Sequence, residues 1–171
     1  MRGALRTVAV LAAVLVAGCS GRSAGPGDPV LRTTAPPWPA PRDGLAQIQA
    51  AGLEPSRLDD TTNQRRFTLT LRVDGAAVPL VPSIGMDRPR ALQGPAHTHD
   101  DSGVVWLEGR GADQVTLGQF FTLWGVRFDK HCLGAVCGAL TVRADGKPVP
   151  EPTTLTLATV ADRLEVTARG A

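Results

Sequence analysis

Phe67-Thr68-Leu69-Thr70-Leu71-Arg72-Val73-Asp74-Gly75 alternates apolar and polar side chains and then stops on an Asp-Gly pair. A period of two is that of a half-buried strand, so Phe67, Leu69, Leu71 and Val73 are expected on one buried face. Asp-Gly tolerates the positive φ angles that a two-residue hairpin turn demands. Further on, Leu140-Thr141-Val142-Arg143-Ala144-Asp145-Gly146-Lys147-Pro148-Val149-Pro150 repeats Leu69 to Pro79 at seven of eleven positions. Two independent hairpins sharing one turn chemistry are the preferred explanation, because the flanking sequences have little in common. An ancient duplication of one β unit is the alternative.

Between the copies, Ala96-His97-Thr98-His99 and Val104-Val105-Trp106-Leu107-Glu108 flank Asp100-Asp101-Ser102-Gly103, the pattern of a third hairpin. Thr116 offers an N-cap hydroxyl ahead of Leu117, Phe120, Phe121 and Trp124, which recur at helical spacing. Gly125 then stands where a left-handed C-cap residue belongs. That aromatic stripe reads as core. Leu155 with Leu157, and Leu164 with Val166, alternate with polar residues and predict two more short strands, and a weaker helix is expected over Leu45 to Ala51. The sum is an α+β fold: a β-rich single domain of short antiparallel hairpins with one or two short helices.

The domain is expected to span residues 43–171. Ahead of it, Ser20 to Arg42 is rich in Gly, Pro, Ser and Thr and ends in Ala35-Pro36-Pro37-Trp38-Pro39-Ala40-Pro41. Such a composition predicts an extended tether, residues 19–42, rather than a packed element. Residues 1–18 carry Arg2 and Arg6, an apolar run from Val8 to Ala17, and small residues before Cys19. At about ten residues the run is too short to cross a bilayer core of roughly 30 Å, and its layout is that of a signal peptide.

Val16-Ala17-Gly18-Cys19 resembles a bacterial lipobox. The resemblance implies cleavage before Cys19, diacylation of its thiol, and a mature chain held by lipid on the extracytoplasmic face of the cell membrane. Losing residues 1–18 removes two of the 18 basic residues and none of the 16 acidic ones, so the mature chain is formally neutral. No basic run remains to argue for nucleic acid, and attachment to anionic lipid is expected to rest on the acyl chains.

The run His97-Thr98-His99-Asp100-Asp101-Ser102-Gly103-Val104-Val105-Trp106-Leu107-Glu108, followed by Thr116-Leu117-Gly118-Gln119-Phe120-Phe121-Thr122-Leu123-Trp124-Gly125, resembles an uncharacterised family of secreted or lipid-anchored proteins from actinobacteria and archaea. The same order of motifs includes Pro82-Ser83-Ile84-Gly85 before the histidine hairpin, and the resemblance covers about residue 45 to the C-terminus. It implies no particular activity. Members tend to carry histidines just before the first strand and at the place of Trp106, where this chain has Asn63-Gln64-Arg65-Arg66 and tryptophan. Of the ligands a family metal site would use, His97, His99 and Glu108 remain.

His97 and His99 are two apart, which on a strand turns both imidazoles to one face about 7 Å apart at the backbone. Ordering of the histidines by the acidic turn is the plainer expectation. Chelation of copper or zinc is the alternative, with a third ligand from Glu108, Asp100, Asp101 or His131. With Cys19 committed to lipid, Cys132 and Cys137 are an even pair and are expected to form a disulfide outside the membrane. Such a small loop is worth roughly 2 kcal/mol in the chain-entropy picture. A soft-metal site of His131, Cys132 and Cys137 would need both thiols reduced. No Gly-x-Ser-x-Gly, Ser-x-x-Lys, His-Glu-x-x-His or Walker A motif occurs. The functional expectation is therefore a non-catalytic, lipid-anchored binding or interaction module with an unknown protein or small-molecule partner; an extracytoplasmic copper or zinc binder is the alternative.

Overall fold

Alternation in the first quoted stretch becomes a central strand of the main sheet. The computed structural model describes residues 31–171; the expected signal peptide, Cys19 and the first part of the expected tether lie outside them. In chain order the elements are α1 (Gly44–Ala50), β1 (Ser56–Arg57), β2 (Arg65–Val73), β3 (Ala76–Val78), β4 (Met86–Asp87), β5 (Leu92–Gln93), β6 (Ala96–His97), β7 (Val104–Leu107), α2 (Leu117–Trp124), β8 (Cys132–Leu133), β9 (Val136–Ala144), β10 (Lys147–Pro148) and β11 (Arg163–Gly170). The main sheet runs β10-β9-β11-β2-β7-β6, with β3 beside β2 and β8 beside β9. A small second sheet orders β1-β5-β4.

The fold is α+β, β-rich, with two helices, as expected, but it is not built of antiparallel hairpins alone. β11 runs parallel to β2 and antiparallel to β9. The C-terminal strand is reached through residues 149–162, starts beside the Asp145 turn and slots between the two Asp-Gly hairpins, so no tight turn constrains its direction. Both turns hold two consecutive positive φ angles, 49° and 84° at Asp74-Gly75 and 47° and 78° at Asp145-Gly146, the geometry that favours Asp-Gly. Leu71 and Val142, equivalent positions of the repeated sequence, both pair with Val166. Leu69 pairs with Leu164, and Leu140 with Ala168. The two hairpins therefore flank β11 as approximate two-fold mates.

Phe67, Leu69, Leu71, Val73, Leu164, Val166 and Val142 form the inner face. α2 packs in the core with Leu117, Phe120, Phe121, Leu123 and Trp124 all buried. Thr116 caps its start in a capping box with Gln119, and Gly125 closes it at φ 68°. Leu123, outside the expected stripe, is buried too, because a helix covered by other elements is apolar on more than one face.

Two expectations are corrected here. Leu155 and Leu157 do not lie in a strand; they follow and open short 3-10 turns at Pro152–Thr154 and Leu157–Thr159, joined to the α2 cap by a single bridge between Thr116 and Thr156. Pro152 at the first turn position favours that tight coil. The end of the Pro-rich segment is also not a free tether. Arg32 bridges Val126, Trp38 is buried, and its indole meets Trp124 edge-on at 5.6 Å between ring centres. The Trp124 Nε1–H donates to the Trp38 carbonyl at 3.2 Å. A proline-rich segment lacks donors for a sheet, yet one tryptophan supplies enough apolar surface to seat it.

Candidate metal centre

Glu108 and Trp106 share the parity of β7 that Val105 and Leu107, both buried inward, leave for the other face. His97 of β6 is the cross-strand partner of Trp106, so it lies on that outer face as well. The residue between the histidines decides the rest. Thr98 is fully buried, and its hydroxyl donates to the Val81 carbonyl at 2.6 Å and accepts the Ile84 N–H at 3.1 Å. The Ser83 N–H donates to its carbonyl, and its own N–H donates to Ile84. Pro82-Ser83-Ile84-Gly85 thus clamps Thr98 on one side of the chain, which turns His97 and His99 together to the other. Gly85, at φ 69°, allows the close approach: a Cβ there would lie 2.3 Å from the Ala96 carbonyl oxygen.

Three ligand-type atoms converge. His97 Nε2 stands 3.1 Å from His99 Nε2 and 3.3 Å from Glu108 Oε2, and all three lie within 4.8 Å of one another. His97 and Glu108 are buried while His99 is exposed, so the cluster is closed behind and open to solvent at His99. The imidazoles stack at 5.1 Å, and His99 also rests on Trp106 at 5.3 Å.

The protonation pattern follows from what each partner can do. His97 Nδ1 lies 3.1 Å from the Gly94 carbonyl oxygen, which only accepts, so Nδ1 carries a proton and donates. Nε2 is then the atom that faces the cluster. Burial pushes His97 below the ordinary histidine range, against the opposing pull of the Gly94 carbonyl and the Glu108 carboxylate. In the neutral form its Nε2 lone pair points at a buried carboxylate. Gln64 donates to Glu108 Oε1, and Gln93, 1% exposed, lies 3.5 Å from Oε2 while also donating to the Asp60 carbonyl at 3.0 Å. Two amides orient the carboxylate without neutralising it. Among the described residues, His97 is the one basic group within ion-pair distance of Glu108.

Of the other expected ligands, Asp100 and Asp101 stay exposed in the turn. The Asp100 carboxylate accepts from the Ser102 hydroxyl and N–H, and those bonds hold it below the usual carboxylate range. His131 is exposed beside Cys132 and joins no cluster. Cys132 and Cys137 form the expected disulfide, which removes the soft-metal site of His131 and the two thiols. Gln64 and Gln93 were not singled out as partners of Glu108 on sequence grounds. Neither side chain carries a local signal for that role, because the fold alone brings residues 64 and 93 beside Glu108.

The chain matches no family model, no curated protein and no solved structure. Among the described residues no helix is long and apolar enough to cross a membrane.

Proposed function

We propose that this protein is an extracytoplasmic, lipid-anchored binding module whose cargo is a first-row divalent metal ion, held by His97, His99 and Glu108. The observation that carries the proposal is the spacing of the donor atoms. Nitrogen ligands about 2.0–2.1 Å from a zinc ion at tetrahedral angles stand about 3.3 Å apart, and the two separations at His97 Nε2 are 3.1 and 3.3 Å. A cation between them would also compensate a buried carboxylate that faces a lone pair. Two imidazoles and a carboxylate suit zinc or copper(II), and with Cys132 and Cys137 joined in a disulfide no thiolate among the described residues favours copper(I). Three protein donors leave a position for water or an exogenous ligand on the His99 side. Gln64 and Gln93 are the outer partners that keep Glu108 aimed, a role whose loss typically weakens metal binding 10- to 100-fold.

The test is metal analysis of untagged protein after zinc or copper loading. One equivalent per chain is expected, with affinity lowered at least about 100-fold in His97→Ala/His99→Ala and about 10- to 100-fold in Gln64→Ala. Binding should weaken in acid, because protons compete for both imidazoles. Unchanged affinity in the double histidine variant would sink the proposal. The anchor is tested separately: Cys19→Ala should abolish partitioning into the detergent phase, and unchanged partitioning would refute the lipid.

A further inference from the structure

The linear sequence has no basic run, but the sheet assembles one. On β2, β9 and β11 the buried residues take one parity, so Arg66, Arg72, Arg143, Arg163 and Arg169 fall together on the outer face. Glu165 is the acidic residue those strands add to that face. None of the five guanidinium groups joins an ion pair among the described residues. Arg72 and Arg143 donate to the Gly75 and Gly146 carbonyls of their own turns, and Arg66 lies 5.2 Å from the centre of the Trp106 ring. The neighbouring turn acids keep their charge but bond backbone donors and not the guanidiniums: Asp74 accepts the Gly170 N–H, and Asp145 those of Ala161, Asp162 and Arg163.

We infer that this arginine-studded sheet face docks on an anionic phospholipid surface. The mature chain is formally neutral, so the attraction comes from placement and not from overall charge. The guanidiniums are spread over three strands, with strands about 4.8 Å apart, and so match a planar field of phosphates better than a single polymer thread. Arginine binds phosphate through two parallel N–H donors. Thr68, Thr70, Thr141 and Thr167 fill the spaces between with hydroxyls, and Trp106 at the edge is a residue suited to the headgroup region. The inference needs neither the metal nor the lipid anchor.

The experiment uses the chain from Ser20 to Ala171, which lacks signal and anchor and contains every described element, in the presence of a chelator. Sedimentation with vesicles of phosphatidylglycerol and phosphatidylcholine in equal parts is compared with phosphatidylcholine alone. Binding to the anionic vesicles is expected, fading at high salt as surface charges are screened. Each arginine near such a surface contributes about fivefold in affinity, so Arg72→Gln/Arg143→Gln and Arg163→Gln/Arg169→Gln should each lose about thirtyfold at unchanged melting temperature. Arg57→Gln, on another face and paired with Asp59, should lose little. Salt dependence of the unmodified chain tests the inference independently of any variant. Equal binding to both vesicle types, salt-insensitive binding, full binding by a variant that combines these four arginine substitutions, or preference for soluble polyphosphate over vesicles would each overturn it.

Discussion

Gly125 carries two duties at once. At φ 68° and ψ 34° it closes α2 with its N–H on the Phe121 and Thr122 carbonyls, and its own carbonyl accepts the Arg32 N–H at 2.8 Å. A Cβ there would stand 3.0 Å from Arg32 Nη1. Gly125→Val should therefore destabilise the domain by more than about 1 kcal/mol in denaturant melts, since a β-branched residue is strained at positive φ and the Arg32 contact must also shift. This glycine was legible in the sequence, because a cap is local chemistry. The shared orientation of His97 and His99 was legible only as a possibility of spacing. What turns them is Thr98, and what holds Thr98 is a segment more than ten residues upstream, a pairing that no local pattern encodes. Glu108 could be placed with them once Val105 and Leu107 were read as inward; Gln93 could not, because its partner is set by the tertiary fold.

At the scale of elements, Asp87 shows how a two-residue strand holds a helix. The buried Asp87 side chain accepts the Leu45 N–H at 3.0 Å and the Arg90 N–H at 3.1 Å, and it pairs with the Arg90 guanidinium at 2.6 Å. Burial by itself would raise its carboxyl, but these donors outweigh it and hold the group below the ordinary range. Folding thus lowers its pKa. The stability it contributes is fully present above the unfolded value near 3.9 and is lost as pH falls below that through the folded value. Asp87→Asn should cost about 1.5–3 kcal/mol near neutral pH, and the gap in melting temperature from the unmodified chain should close as pH is taken from about 5 to about 2. A gap independent of pH would show that charge is not what Asp87 contributes. Strand existence was readable wherever alternation ran for several residues, as in β2, β9 and β11. Direction was not: parallel pairing of β11 with β2 depends on how the chain returns, and Leu155 and Leu157 alternate without a neighbouring strand to pair with.

For the whole molecule, the boundary lies earlier than composition suggests. Proline and glycine content marked residues 19–42 as one tether, but Trp38 is 1% exposed and its indole N–H donates to the Thr34 carbonyl at 3.0 Å. The Thr34 carbonyl also accepts the Ala135 N–H at 3.0 Å, so the arm crosses from α2 to the β8–β9 turn, where the disulfide sits. Trp38→Ala should cost about 3–5 kcal/mol, the usual range for emptying such a site, and should open the Thr34–Pro41 stretch to limited proteolysis. An unchanged denaturation midpoint would mean that the arm is decoration. Its seating was hidden because one large aromatic outweighs the four prolines and small residues around it.

With the arm seated from Arg32, the leash from Cys19 is only thirteen residues long, about 45 Å at full stretch. The proposed anchor at Cys19 would then confine the domain to a layer within that reach of the bilayer. On so short a mooring the proposed module would not ferry a metal ion far; it would hand over or receive it within arm's length of the bilayer. The arginine face, reaching the same surface, would set which side of the domain is turned to whatever comes by.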